Sequence, residues 1–149
     1  MKVLVFGDSH GSTKAFKELK AKAKKADLLV CIGDITVFEQ NFSGIMKQFD
    51  KLGKKMFIIN GNHEEEHTMR KQCKDTKNIQ FIHEKVVEFN GFRFVGYGGG
   101  GFSLTDPWMK NYFNSVKARL KDQKIIFITH APPHKTKLDD GHGASCGCK

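Results

Sequence analysis

The chain has 149 residues, of which 39% are hydrophobic and 28% charged, with a formal net charge of +9. Its apolar runs are about five residues long, whereas a membrane-spanning helix needs about 20, and Gly7-Asp8 interrupts the start where a signal peptide would stay apolar. These features argue against a membrane protein and predict a single globular domain over residues 1–149, located in the cytoplasm.

The positive charge comes from lysine, because 22 of the 25 basic residues are Lys and three are Arg. The lysines are spread over several predicted helices, which is typical of solvated helix faces. Their field also favours phosphorylated or otherwise anionic ligands. Base-specific reading of nucleic acid relies on the geometry of Arg and Asn, so nucleic acid is a less favoured partner.

The four cysteines carry no complete metal-binding motif. Cys31 falls in an apolar run, where a small buried thiol is expected, and Cys73 falls on a predicted helix. Cys146 and Cys148 form a lone C-x-C pair that lacks the second half of a zinc site. We interpret all four as incidental thiols.

Four short apolar runs are predicted to be strands, and each is followed by polar side chains of types that bind metals. The runs and the side chains that follow them are Val3–Phe6 with Asp8 and His10, Leu28–Ile32 with Asp34, Met56–Ile59 with Asn62 and His63, and Ile125–Ile128 with His130. Continuous apolar runs suit parallel strands that are buried on both faces. Ligands of such sheets bind at the carboxyl ends of the strands, so we expect these side chains to converge on a metal site.

Helices are predicted between and after these runs from capping residues and apolar faces. The first begins at Ser12 or Thr13 and ends near Lys25, and the second begins at Asn41 or Ser43 and stops at Gly53. The remaining two are a third that opens with Glu64–Glu66 and a fourth from Pro107 to Leu120 with Trp108, Tyr112 and Val116 on its inner face.

The middle of the chain predicts an antiparallel hairpin. Val86–Phe89 and Phe92–Val95 flank Asn90-Gly91, which suits a type I′ turn. Ile79–Ile82 is a candidate for a further strand. Gly98–Gly101 matches neither common phosphate-binding spacing and is interpreted as a loop near the site.

Taken together, these motifs resemble those of the calcineurin-like metallophosphoesterases. The series D-x-H, G-D, G-N-H-E and H-A-P-P stands here as Asp8-Ser9-His10, Gly33-Asp34, Gly61-Asn62-His63-Glu64 and His130-Ala131-Pro132-Pro133. The resemblance covers nearly the whole chain. It implies an α/β fold of four layers, α-β-β-α, in which two sheets are packed between helices.

The resemblance also implies a centre of two divalent cations. Asp8 and His10 would bind one cation, Asn62 and His130 would bind the other, and Asp34 would bridge the two. Ligands of this mixed kind suit Mn, Fe or Zn, with Mg or Ni as further candidates. The pair of cations would activate a shared water as a bridging hydroxide for attack on phosphorus.

His63 would stand beside the cations and give a proton to the leaving oxygen, since an imidazole can do so near neutral pH. Glu64 would either orient His63 or balance the dipole of the third helix. His67 and His83 belong to no motif and are expected at the surface.

The sequence departs from the family pattern at its end, because the G-H-x-H segment that normally adds one His to each cation is not found. Three explanations stay open. The chain is a fragment, with a C-terminally incomplete fold, or a shortened member with half-filled metal sites. In the third, His134, His142 or Cys146 replaces the missing ligands.

The predicted function is that of a metal-dependent phosphoesterase, either a phosphodiesterase or a nucleotide phosphohydrolase. Its substrates would be phosphorylated small molecules or nucleotides, and no membrane partner is expected. The sequence carries no signal for an oligomeric state. The alternative is a non-catalytic interaction module on the same fold, which the missing segment favours and the proton donor His63 opposes.

Overall fold

The computed structural model describes residues 1–100, 105–136, 139–141, 144 and 145. Strands and helices alternate up to β4, and a hairpin, a helix and further strands follow. In chain order the described elements are β1 (Val3–Phe6), α1 (Thr13–Ala23), β2 (Leu28–Cys31), α2 (Phe42–Asp50), β3 (Met56–Ile58), α3 (Glu66–Lys74), β4 (Ile79–Phe81), β5 (Lys85–Phe89), β6 (Phe92–Tyr97), α4 (Pro107–Arg119), β7 (Ile125–Thr129), β8 (Asp140–Gly141) and β9 (Ala144–Ser145).

The strands form two main sheets. The first has four parallel strands in the order β1-β2-β3-β4. The second has the order β5-β6-β7, in which β5 is antiparallel to β6 and β7 is parallel to it. The hairpin predicted around Asn90-Gly91 is therefore confirmed, while β8 and β9 form a separate antiparallel pair.

Two strands join a different sheet from the one that the sequence suggested. The candidate strand at Ile79–Ile82 forms, but as β4 it extends the parallel sheet beside β3 and takes no part in the hairpin sheet. Its apolar side chains Ile79 and Phe81 are 7% and 4% exposed, because they pack into the same cluster as the residues of α3. The last predicted strand, β7, is parallel as expected but lies beside β6.

Three clusters of buried hydrophobic residues lie between the layers of the fold. The first lies between the four-stranded sheet and helices α1, α2 and α3, the second fills the space between the two sheets, and the third lies beneath α4. Members of these clusters include Leu29, Ile58 and Met69 in the first, Val30, Phe57 and Phe94 in the second, and Val95 and Val116 in the third. The expected four-layer α-β-β-α arrangement is confirmed.

The continuous apolar run of β2 follows from its place between two clusters. Leu28 and Val30 point into the cluster between the sheets, and Leu29 and Cys31 point towards the helices. Because successive side chains of a strand face opposite sides, a strand covered on both faces must be apolar throughout. This burial also raises the pKa of the Cys31 thiol.

Helix α1 begins after Ser12, one of its two predicted capping residues, and α4 begins at Pro107 as predicted, after the capping residue Asp106. The Ser12 hydroxyl accepts a hydrogen bond from the backbone N–H of Ala15, and the Asp106 carboxylate accepts one from Met109. Pro107 occupies the first turn of α4, where its missing N–H costs nothing. Among the described residues, no helix has both the length and the apolar content to cross a membrane.

Two helix predictions need correction. Helix α3 begins at Glu66, so Glu64 lies outside its first turn and is instead buried, with 3% exposure. On α4, Trp108 does not face the core: its side chain is 76% exposed, because the helix packs through Val116 and the aromatic residues around Tyr112.

The cysteines that the structure describes are buried thiols. Cys31 is in β2, and Cys73 is on the inner face of α3, where burial raises the pKa of its thiol to about 12. The burial of Cys31 is as expected, whereas the burial of Cys73 was not indicated by the sequence. Cys146 and Cys148 lie outside the described residues.

Replacing Phe57 by Ala is expected to lower the free energy of unfolding by about 3–5 kcal/mol, because its ring fills the space between the sheets. Phe57 is 1% exposed, and its ring centroid lies 5.3 Å from that of Phe94. In the control Trp108→Ala, an exposed ring is lost and the change should stay below about 0.5 kcal/mol. Urea unfolding followed by circular dichroism measures both, and equal losses would contradict the layer packing.

Candidate metal centre

The loops that follow β1 and β2 are joined beyond the ends of the strands. The backbone N–H of Asp8 donates to the carbonyl of Gly33, and that of His10 donates to the carbonyl of Asp34, both at 3.0 Å. Asp8, His10 and Asp34 all have positive φ angles, of 50°, 43° and 52°. Non-glycine residues in this region are strained, and such strain clusters at functional sites.

Two glycines allow the loop after β2 to touch the loop after β3. A Cβ atom on Gly33 would lie 2.2 Å from the backbone nitrogen of Gly61, and one on Gly61 would lie 2.0 Å from Oδ1 of Asp34. Both distances are far below van der Waals contact. Any side chain at either position would therefore push Asp34 away from the neighbouring loop.

Asp34 lies at the centre of the predicted site residues and is 4% exposed. Its Oδ2 atom is 3.6 Å from Nε2 of His130 and 4.0 Å from Nε2 of both His10 and His63. Asp34 is shared by two groups whose possible ligand atoms lie within 4.8 Å of one another, namely His10–Asp34–His63 and Asp8–Asp34–His130. The resemblance pairs Asp8 with His10, whereas the structure groups Asp8 with His130.

His10 and His130 are held in the form that binds metals. Nδ1 of His10 lies 3.0 Å from the carbonyl oxygen of Thr36, and Nδ1 of His130 lies 2.8 Å from that of Ile32. A carbonyl can only accept, so the proton of each ring is on Nδ1. In the neutral ring the lone pair is then on Nε2, which faces Asp34.

Asn62 is close to His130, as its predicted pairing requires. Oδ1 of Asn62 lies 2.9 Å from Nε2 of His130. Since Nδ1 of His130 already donates to Ile32, a neutral His130 would direct a lone pair at the Asn62 oxygen. Two acceptors that face each other at this distance are the arrangement that a shared cation stabilises.

His63 has both a fixed backbone and an uncommitted ring nitrogen. Its backbone N–H donates to Oδ1 of Asp34 at 3.0 Å. Its ring centroid lies 4.7 Å from that of His10 and 4.5 Å from that of Phe38. Within the described part of the chain, the buried Nδ1 atom of His63 has no hydrogen-bond partner.

Glu64 holds the two loops together. Its Oε2 atom accepts hydrogen bonds from the backbone N–H groups of Asp34 and Gly61, at 2.9 and 3.2 Å. Its Oε1 atom accepts from both the backbone N–H and the hydroxyl of Thr36, each at 2.8 Å. Glu64 therefore acts on the backbone around Asp34. The predicted role of orienting His63 would require a hydrogen bond from the Glu64 carboxylate to the His63 ring, and none is found among the described residues. The sequence offers no signal for this role, because Glu64 is followed directly by Glu65 and Glu66, both of which are exposed.

His83 was expected at the surface, but its side chain is only 11% exposed. Nδ1 of His83 accepts a hydrogen bond from the backbone N–H of Gly98 at 2.8 Å, and burial lowers the pKa of the ring. The N–H of Gly99 donates to the carbonyl of Asn60 at 2.8 Å. Gly98 and Gly99 thus lie against Asn60 at the end of β3, and a Cβ atom on Gly100 would lie 3.6 Å from that of Ala131, the residue after His130. Gly101 lies outside the described residues.

The three candidate replacement ligands lie elsewhere or outside the described residues. Nδ1 of His134 is 3.4 Å from Oδ2 of the buried Asp139. Among the described residues, neither of the two ligand groups around Asp34 includes His134. His142 and Cys146 are outside the residues that the structure describes.

Comparison with known proteins gives one family and a shared fold. The sequence model of the calcineurin-like phosphoesterase family matches residues 1–148. No curated protein matches the sequence. One crystal structure is similar with a TM-score of 0.79 at 18% identity, over 98% of this chain and 76% of that one. The crystal structure of TT1561 of Thermus thermophilus has a TM-score of 0.74 at 16% identity, over 91% of this chain and 70% of that one. At these identities the structures share the fold alone.

Replacing Glu64 by Gln is expected to lower the free energy of unfolding by about 1–3 kcal/mol, measured by urea titration of the metal-free protein. An amide would turn its NH₂ group towards backbone N–H donors and leave them without an acceptor. The control is Glu65→Gln, because Glu65 precedes α3 without a side-chain capping bond. Equal stability of the two variants would contradict the role of Glu64.

Proposed function

The chain belongs to the calcineurin-like phosphoesterases, a family of metal-dependent phosphoester hydrolases, and from this premise we propose that it is a phosphodiesterase or nucleotide phosphohydrolase. The proposed centre holds two divalent cations around Asp34. The observation that carries the proposal is that Asp34 belongs to both groups of potential ligands.

The donor set fits such a centre. The Nε2 atoms of His10 and His130 face Asp34 with their Nδ1 atoms bonded to backbone carbonyls. In the proposal, His10 would hold one cation, Asn62 and His130 would hold the other, both cations would share Asp34, and Asp8 would complete the ligand set. Carboxylate, amide and imidazole donors without a thiolate favour Mn, Fe or Zn.

When bound, the cations would neutralise the phosphoryl group and lower the pKa of an attacking water. The residues of the chain would then complete the displacement. As the water oxygen bonds to phosphorus and the bond to the alcohol oxygen breaks, that oxygen needs a proton. We assign this proton to His63, whose Nε2 atom lies 4.0 Å from Asp34 Oδ2, at the edge of the centre.

The net charge supports an anionic substrate. With a formal charge of +9, the protein attracts phosphate esters over long range, and this attraction weakens with salt. We propose small phosphodiesters or nucleotides as the substrates. Attack by water on their phosphorus would release an alcohol and leave a phosphate monoester or inorganic phosphate.

Replacing Asp34 by Ala should remove most of the bound Mn²⁺, because both ligand groups lose the residue that they share. The measurement is the metal content of dialysed protein, determined by inductively coupled plasma mass spectrometry. The control is Asp75→Ala, which removes an exposed carboxylate at the end of α3. An unchanged Mn²⁺ content in Asp34→Ala would refute the bridging role.

Replacing His63 by Ala should lower kcat for a chromogenic phosphodiester by about 100- to 10,000-fold while the Mn²⁺ content stays the same. The loss follows from the missing proton donor. His67→Ala is the control, since His67 is an exposed histidine of α3. Full turnover in His63→Ala would remove His63 from the reaction. Absence of both metal and turnover in the unmodified protein would favour the non-catalytic interaction module.

A further inference from the structure

An exposed aromatic ring stands beside the candidate metal centre. Phe38 lies in the loop between β2 and α2, four residues after Asp34, and is 74% exposed. Its φ angle is 45°, and the next residue, Glu39, has a φ angle of 63°. Two successive non-glycine residues in the left-handed region cost free energy, which the surrounding contacts must offset.

Contacts on both sides of Phe38 hold this conformation. On one side Thr36 is bound through its N–H and hydroxyl to Glu64, and its carbonyl accepts from Nδ1 of His10. On the other side the N–H of Glu39 donates to the Thr36 hydroxyl at 3.1 Å, and the Glu39 carboxylate accepts from the N–H of Glu65 at 2.9 Å. Phe38 is therefore the exposed tip of a tightly fixed loop.

The ring of Phe38 contacts His63, which lies beside the candidate metal centre. Its centroid lies 4.5 Å from that of His63, at an angle of 38° between the planes. The His63 ring in turn contacts His10, and its Nε2 atom is 4.0 Å from Oδ2 of Asp34. Only the His63 ring would thus separate a group bound on Phe38 from the place where the phosphorus would react.

We propose that Phe38 is the binding platform for a planar aromatic group of the substrate, a nucleobase, so that the substrate class is nucleotide esters. This inference rests on the proposed function and adds the part of the substrate that lies outside the reacting phosphate. Base–aromatic stacking removes two apolar faces from water and tolerates any base, since every base has a π-face.

A purely protective role of Phe38 fits the structure less well. A side chain that serves to cover His63 would be buried by that contact, yet most of the Phe38 ring remains in water. The fixed backbone also matters, because a platform that is ordered before binding loses little entropy when the ligand arrives. Neighbouring Val37 is 37% exposed, has an ordinary backbone and carries no ring, which makes it a matched control.

The test compares two phosphate monoesters that differ in the base, adenosine 5′-monophosphate and ribose 5-phosphate. Their dissociation constants are measured by isothermal titration calorimetry on the Mn²⁺-loaded protein. For the unmodified protein, the nucleotide should bind more tightly than the sugar phosphate. Phe38→Leu should weaken nucleotide binding by roughly five- to a hundred-fold and leave ribose 5-phosphate unchanged.

Three further variants and one assay separate the explanations. Phe38→Tyr keeps a ring and should retain nucleotide affinity, and Val37→Ala should behave like the unmodified protein. Phe38→Ala and Phe38→Leu should weaken nucleotide binding equally, because both lose the ring, even though Leu still covers His63.

If the Phe38 variants weaken the binding of both ligands equally, Phe38 positions the centre and the proposal is overturned. Equal affinity of the unmodified protein for both ligands, or binding of neither, overturns it as well. Hydrolysis of bis(p-nitrophenyl) phosphate, measured in parallel, reports on the proposed activity independently of the base.

Discussion

The rest of the site depends on the hydrogen bonds that the Glu64 carboxylate accepts. This carboxylate is buried and accepts four hydrogen bonds, from the backbone of Asp34, Thr36 and Gly61 and from the Thr36 hydroxyl. These donors belong to the two loops that follow β2 and β3. A buried carboxylate is stable only when such donors surround it, so the loops and the charge stabilise each other. The glycine contact between Gly33 and Gly61 makes this close approach sterically possible.

The hydrogen-bond pattern separates the acidic residue that supports the loops from the one that can hold cations. Both oxygens of Glu64 are occupied by short hydrogen bonds. In Asp34, Oδ1 accepts from the backbone of His63, whereas the imidazole nitrogens that face Oδ2 are 3.6–4.0 Å away, too far for hydrogen bonds. A cation between these nitrogens and Oδ2 could bind all of these atoms, which are too far apart to hydrogen-bond to one another.

Features that depend on local pattern could be predicted from the sequence. Strand β1, the cap at Ser12 and the hairpin at Asn90-Gly91 follow from short-range preferences, and parallel strands imply where Asp34 lies. Features that depend on tertiary partners could not be predicted in this way. In the sequence, Glu64 and His83 look like exposed polar residues. In the structure, both are largely buried and accept hydrogen bonds from residues of distant loops. Trp108 fits the helical apolar period, yet α4 turns that position towards water.

The same dependence on distant partners links the metal centre to substrate recognition. Thr36 is bound by Glu64 from the loop after β3, by His10 from the loop after β1 and by Glu39 from its own loop. Its position therefore sets the ring orientation of His10 and the place of Phe38 at once. A change that loosened Thr36 would move a proposed metal ligand and the proposed base platform together. The geometry at the reacting phosphorus and the contact with the remote part of the substrate would thus be coupled through one buried residue. Such coupling allows remote binding energy to orient a substrate for reaction.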